Sequence, residues 1–127
     1  MGSGKTTVGR QLAKRTRMEF VDSDHMIEDR CGVSISTIFD IEGEDGFRKR
    51  ETNMLTELCQ MNGIVLATGG GAITTEGNRI LLRKSGYVVY LKTSINTQIA
   101  RTQKNQNRPL LEHVDPEVKL QELLDER

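Results

Sequence analysis

Gly4, Lys5 and Thr6 in the opening stretch MGSGKTT match the last three positions of a phosphate-binding loop, G-x-x-x-x-G-K-[ST]. Backbone N–H groups around Gly2 to Thr6 can wrap a phosphate. A helix opening there turns its positive end toward the anion. Glycine lets the backbone come close because no Cβ stands in the way. In that role Lys5 bridges the β- and γ-phosphates and the Thr6 hydroxyl coordinates Mg²⁺. A flexible Gly-Ser tail would account for the same letters. The helical pattern that follows without interruption, and the stretches downstream, favour the loop.

VDSDH carries Asp22 and Asp24 at i and i+2. Asp22 suits Mg²⁺ held through water, since that ion takes one or two carboxylates and keeps several waters. Asp24 suits the acceptance of a hydroxyl proton during phosphoryl transfer. It serves equally well as the cap of the next helix. FRKRE offers Arg48, Arg50 and Glu51; one arginine can grip a carboxylate, with Glu51 at i+3 holding it, although a solvated charged face reads the same way. ATGGGA places Gly69, Gly70 and Gly71 after an apolar run, which leaves backbone open at a ligand edge. NQNRPLLE lies in a polar loop long enough for a lid. Its Arg108 either swings onto transferring phosphate or is an ordinary exposed loop arginine. His25 and His113 have no partner at metal-ligand spacing.

The elements needed to position these residues alternate in type. KTTVGRQLAKRT predicts a short amphipathic helix with Val8 and Leu12 on one side, and MEFVD a short strand. DHMIEDRCG predicts a helix stopped at Gly32, and SISTIFDIEG another, capped by Ser34. Phe47, Met54, Leu55 and Leu58 line one face of a longer helix ending near Asn62-Gly63. IVLAT and YVVYL predict two buried parallel strands. NRILLRK, NTQIARTQ and the stretch from Pro116 to Arg127 predict helices. The whole is an α/β domain with a mainly parallel sheet, whose ligand site belongs at the carboxyl ends of the strands. Asp22, Asp24 and the triple glycine all fall there.

The chain has 127 residues, one domain's worth, and its 18 Lys and Arg balance 18 Asp and Glu. No overall field recruits nucleic acid or an anionic membrane, so any anion site must be local. Cys31 and Cys59 match no metal spacing and read as buried free thiols. No apolar run reaches the ~20 residues that span a bilayer. The Gly- and Lys-rich start is not an apolar secretory segment, and a cytoplasmic protein is expected.

Taken together, GSGKT, DSD, FRKRE, GGG and RPLL resemble, in family order, the motifs of shikimate kinase. The resemblance implies a three-layer α/β/α P-loop NTPase fold over residues 1–127 as one kinase domain, with a lid near 104–115. It implies ATP and shikimate as substrates, Mg²⁺ as cofactor, and a monomer with no nucleic-acid or membrane partner. Lys5, Asp24 and Arg108 take catalytic roles, and Thr6 and Asp22 hold the metal. Gly2, Ser3, Gly4, Lys5, Thr6, Thr7, Arg101 and Arg108 contact nucleotide, Arg101 by packing against adenine. Asp24, Arg48, Glu51, Gly69, Gly70, Gly71 and Arg127 form the substrate side.

Two departures from the family lie at the ends. The first glycine of the loop would fall two places before Met1, and the family continues past Arg127. Losing a central strand would remove several apolar side chains worth ~1.5–3 kcal/mol each, comparable to a domain's net stability of ~5–15 kcal/mol. The segment is therefore expected to be part of a longer protein and not to fold stably alone. Two other readings remain: a different small-metabolite kinase of this fold, such as a gluconate kinase, or a non-catalytic nucleotide-binding module.

Overall fold

The computed structural model describes residues 2–103 and 115–127. Its elements are α1 (Lys5–Thr16), β1 (Glu19–Asp22), α2 (Ser23–Cys31), α3 (Ile35–Leu58), β2 (Ile64–Ala67), a 3₁₀ turn (Ala72–Thr74), α4 (Glu76–Ser85), α5 (Ile95–Thr102) and α6 (Pro116–Glu126). β1 and β2 pair in parallel, with Asp22 opposite Ala67 at their carboxyl ends. That register brings the aspartates after β1 beside the glycines after β2. α1 packs on both strands and α2 packs on α3. The core joins Val21 of β1, Ile27 of α2, and Ile38, Phe47, Met54 and Leu58 of α3.

Local chemistry sets the helix ends. Ser34 accepts a hydrogen bond from the Thr37 N–H at 3.2 Å, and so caps α3. Gly32 ends α2 at φ 70°, its N–H donating to the Glu28 carbonyl. α3 consists of two helical stretches, because Gly43 breaks it at φ 71°, ψ −178°. Cys31 and Cys59 are free, and each is half-buried rather than fully enclosed.

Three expectations need correction. The packed face of α1 is formed by Gly9 and Ala13, whereas Val8 and Leu12 remain over 40% exposed. Gly9 lets α1 come close to β1, where a larger side chain would run into the Phe20 ring. β2 is half-buried over Ile64–Leu66 instead of fully buried, since its described strand neighbour, β1, lies on one side only. YVVYL forms no strand, and Tyr87 to Tyr90 are exposed. Apolar β-branched residues become strand only where an adjacent edge accepts their backbone bonds, and no described strand lies alongside.

The α1–β1 contact supplies a first prediction. A Cβ on Gly9 would stand 2.6 Å from Cε2 of Phe20. Helix propensity favours alanine by about 1 kcal/mol, but forcing volume into a packed contact costs about 1–3 kcal/mol. Gly9→Ala is therefore expected to destabilise the full-length protein by on the order of 1 kcal/mol, net of those terms. A lower urea midpoint would bear this out, and a higher one would show that the Phe20 ring yields freely.

Candidate active site

Gly4 occupies the N-cap of α1 at φ 84°, a conformation that disfavours a side chain, and it provides no capping side-chain bond. The first turn carries no acidic residue either. The helix thus presents its N-terminal N–H groups and positive end uncompensated, as an anion site requires. The Lys5 ammonium reaches back over the loop to within 3.3 Å of Ser3 Oγ. α5 closes the loop's other side: Arg101 Nη1 donates to the Gly2 carbonyl at 3.0 Å. A Cβ on Gly2 would stand 3.2 Å from the Gln98 backbone.

This loop opens into a cavity of about 630 Å³ that also reaches the ends of both strands. Gly2 to Thr6, Asp22, Asp24, Arg48, Glu51, Gly69 to Gly71, Arg101 and Arg127 all line it. Thr7 does not; it is exposed, turned about 100° further round the helix from Thr6. Arg108 and the stretch 104–114, with His113, lie outside the described residues.

The two aspartates divide their work. Asp22 is the cap of α2, its Oδ1 accepting from the N–H groups of Asp24 at 2.9 Å and His25 at 3.2 Å. The Asp24 carboxylate is therefore not used as the cap. Its Oδ1 is buried and has no hydrogen-bond partner among the described residues. Burial first, then the charges of Asp22 and Glu51, push the Asp24 carboxyl up to about 6, against the opposing pull of Lys5 and Arg48.

On the far wall, Arg48 Nη1 donates to Glu51 Oε2 at 2.8 Å and Arg48 Nη2 to Glu44 at 3.0 Å. Glu51 is fully buried, and burial pushes its carboxyl up while Arg48 pulls it down. Arg127 enters the same cavity. Burial, then the nearby Arg48, lowers its guanidinium from the ordinary value. Two cations facing one space make a fit for a ligand carboxylate. Arg50 turns away and pairs with Glu42 through two bonds of 2.8 and 2.6 Å.

The triple glycine is explained by what it touches. A Cβ on Gly69 would meet Glu51 Oε1 at 2.8 Å and Asp24 Oδ1 at 2.9 Å, and one on Gly71 would overlap the Arg48 guanidinium. Gly71→Ala is accordingly expected to weaken binding of a carboxylate ligand in this cavity by roughly 10–100-fold, because Arg48 cannot retreat without leaving Glu51. Unchanged affinity in that variant would show that the guanidinium has room to spare.

Sequence reasoning missed part of the cavity wall. Ile35, Phe39 and Phe47 line it, the two rings 4.9 Å apart at the centroids, with Arg48 stacked 5.4 Å over Phe47. Their helical spacing marks them only as apolar, and nothing in it separates a core face from a pocket wall. For a metal, the hydroxyl of Thr6 and the carboxylate of Asp22 are hard oxygen donors on one cavity. Among the described residues no cluster of three or more His, Cys, Asp or Glu could hold an ion. That donor set fits Mg²⁺, which takes few protein ligands and fills its shell with water and phosphate oxygens.

A glycine loop opening a helix at the carboxyl ends of parallel strands, facing a cavity where Arg48 and Arg127 stand near a raised carboxyl, is the arrangement of the P-loop small-metabolite kinase class. A family model described as shikimate kinase matches residues 1–127. The chain belongs to the shikimate kinase family. It is 58% identical over 124 residues to a shikimate kinase of Thioalkalivibrio sulfidiphilus, covering 98% of this chain and 65% of that protein. It is 58% identical over 127 residues to the shikimate kinase of Halorhodospira halophila, covering all of this chain and 72% of that one. The structure of Acinetobacter baumannii shikimate kinase in complex with shikimate superimposes with a TM-score of 0.96 at 54% identity, covering 98% of this chain and 70% of that one. The Bacteroides thetaiotaomicron shikimate kinase follows at 0.91 and 33% identity, covering 100% and 74%.

Proposed function

We propose that the protein transfers the γ-phosphoryl group of ATP to the 3-hydroxyl of shikimate. The observation that carries this reading is Asp24, its Oδ1 buried without a hydrogen-bond partner among the described residues, in one cavity with Lys5, Arg48 and Arg127. The family match and the shikimate bound to the Acinetobacter relative support the choice of acid. Neither the gluconate kinase reading nor the non-catalytic one gains an observation in its favour.

In this mechanism Arg48 and Arg127 take the shikimate carboxylate, and Glu51 keeps Arg48 in place. The glycine turn from Gly69 to Gly71 lets the ring approach the two carboxylates. Asp24 accepts the hydroxyl proton as the oxygen attacks phosphorus and the bond to the ADP oxygen breaks. The N–H groups of Gly2 to Thr6 hold the phosphates, Lys5 and Arg108 stabilise the transferring group, and Arg101 meets the adenine. Thr6 and Asp22 would hold Mg²⁺, which would supply positive charge against the phosphates. Both substrates are small and soluble, which supports a cytoplasmic setting.

The test is Mg-dependent ADP release by the full-length protein with shikimate, gluconate or nucleoside monophosphates. Stimulation by shikimate alone is the expected result. Tight ATP binding without that stimulation would overturn the choice of substrate while sparing the loop.

A further inference from the structure

Behind the glycine turn, one small group of side chains holds four consecutive backbone carbonyls. Thr74 Oγ1 donates to Gly71 O at 2.8 Å and Asn78 Nδ2 to Ala72 O at 3.0 Å. Arg79 Nη1 donates to Ile73 O at 2.7 Å and lies 3.4 Å from Thr74 O. Backbone bonds run the same way, from the Ala72 N–H to Gly69 O and from the Thr74 N–H to Gly71 O. The back of the turn is thus tied to the first turn of α4, while its front lies against Arg48, Glu51 and Asp24.

We infer that Asn78, with Arg79 beside it, is a positioning residue for the substrate half of the cavity, acting through the Gly69–Thr74 backbone. The inference rests on the reading of the site given above. Asn78 lines no part of the cavity and has 0% exposure, so it touches neither substrate nor nucleotide. Its Oδ1 is buried with no partner among the described residues. Burying an amide with one half unpaired is less favourable than burying an apolar side chain of similar size. Filling the space is therefore a poor account of an asparagine here, and its one side-chain bond among the described residues, to Ala72, is the better one. A shift of a few tenths of an ångström in this turn would press Gly71 into the guanidinium or open a gap behind it. Either displaces the group that receives the substrate carboxylate.

The test compares Asn78→Ala, Asn78→Asp and Arg79→Ala with the unaltered full-length protein. Asn78→Asp keeps the shape and loses the donor. Arg79 is exposed, so its removal leaves folding intact even if the Asn78 variants do not fold. We expect the KM for shikimate to rise roughly 3–10-fold in the variants that fold, with the KM for ATP unchanged. A merely structural role would lower the active fraction, and so kcat, with both KM values intact. That outcome in Arg79→Ala and in any folded Asn78 variant overturns the inference, as does an unchanged KM for shikimate in Asn78→Asp. Should the unaltered protein show no response to shikimate, the functional reading fails instead. Amide hydrogen exchange at Ala72 and Thr74 then decides: faster exchange in Arg79→Ala upholds the tether, and unchanged exchange overturns it.

Discussion

Asp24→Asn is expected to lower shikimate-dependent ADP release by roughly 10²–10⁴-fold, the usual worth of a positioned general base. ATP affinity should change little, because the loop proposed to hold the phosphates is built from Gly2 to Thr6, and Asp24→Asn leaves its backbone N–H groups and Lys5 in place. The substitution keeps the shape of the side chain and removes only its ability to accept a proton. The unaltered protein gives a second reading of the same group. Its carboxyl is raised to about 6 by burial and by Asp22 and Glu51. A base works only when unprotonated, so kcat/KM should be level near neutral pH and fall about tenfold per unit below that value. Normal turnover in Asp24→Asn would remove Asp24 from the chemistry. A flat acid limb would place the proton acceptor elsewhere.

Arg48→Met should fail in two separable ways. Glu51 has 0% side-chain exposure and Arg48 only 17%, so the pair is sequestered, unlike the exposed Arg30–Glu57 bridge. Removing one member of a buried pair strands the other charge, at about 3–5 kcal/mol, a large share of a domain's ~5–15 kcal/mol. The variant should therefore melt well below the parent. The KM for shikimate should also rise about 10–100-fold from the lost charged hydrogen bond. Adding Glu51→Leu should restore much of the stability and none of the affinity. The pH dependence follows from the sign of the Glu51 shift, which is upward and largest in cause from burial. A carboxyl raised in the folded state costs stability above its unfolded value, and that cost shrinks as pH falls through the folded value. The deficit of Arg48→Met should accordingly narrow in acid. Equal stability of the single and double variants would show that Glu51 reaches water.

Much was legible in the amino-acid sequence because it is local. Gly4-Lys5-Thr6 announces an anion site since a helix N-terminus and a lysine need only chain neighbours to form one. Ser34 and Gly32 mark helix ends for the same reason, and Arg48 finds Glu51 at i+3 within one helical turn. The order of these motifs along the chain was enough to point to the family. The failures have the opposite character. YVVYL has the composition of a buried strand, but a strand exists only where another edge accepts its bonds. Val8 and Leu12 look like the packing face of α1, yet the approach of Phe20 gave that face to Gly9 and Ala13.

What tertiary structure alone decided was the division of labour between groups distant in sequence. Both aspartates could have capped α2, and the fold gave that task to Asp22, leaving Asp24 buried and raised beside Glu51, 27 positions away by number. Phe39 and Phe47 became pocket wall instead of pure core because the cavity opens on their side. Asn78 carries no motif at all; its place behind the glycine turn emerges only once α4 folds back under Ala72. Spacing along a chain encodes contacts within a turn or two of helix. Burial, and with it the shifted carboxyls and the fit of the triple glycine, depends on which surfaces meet across the fold.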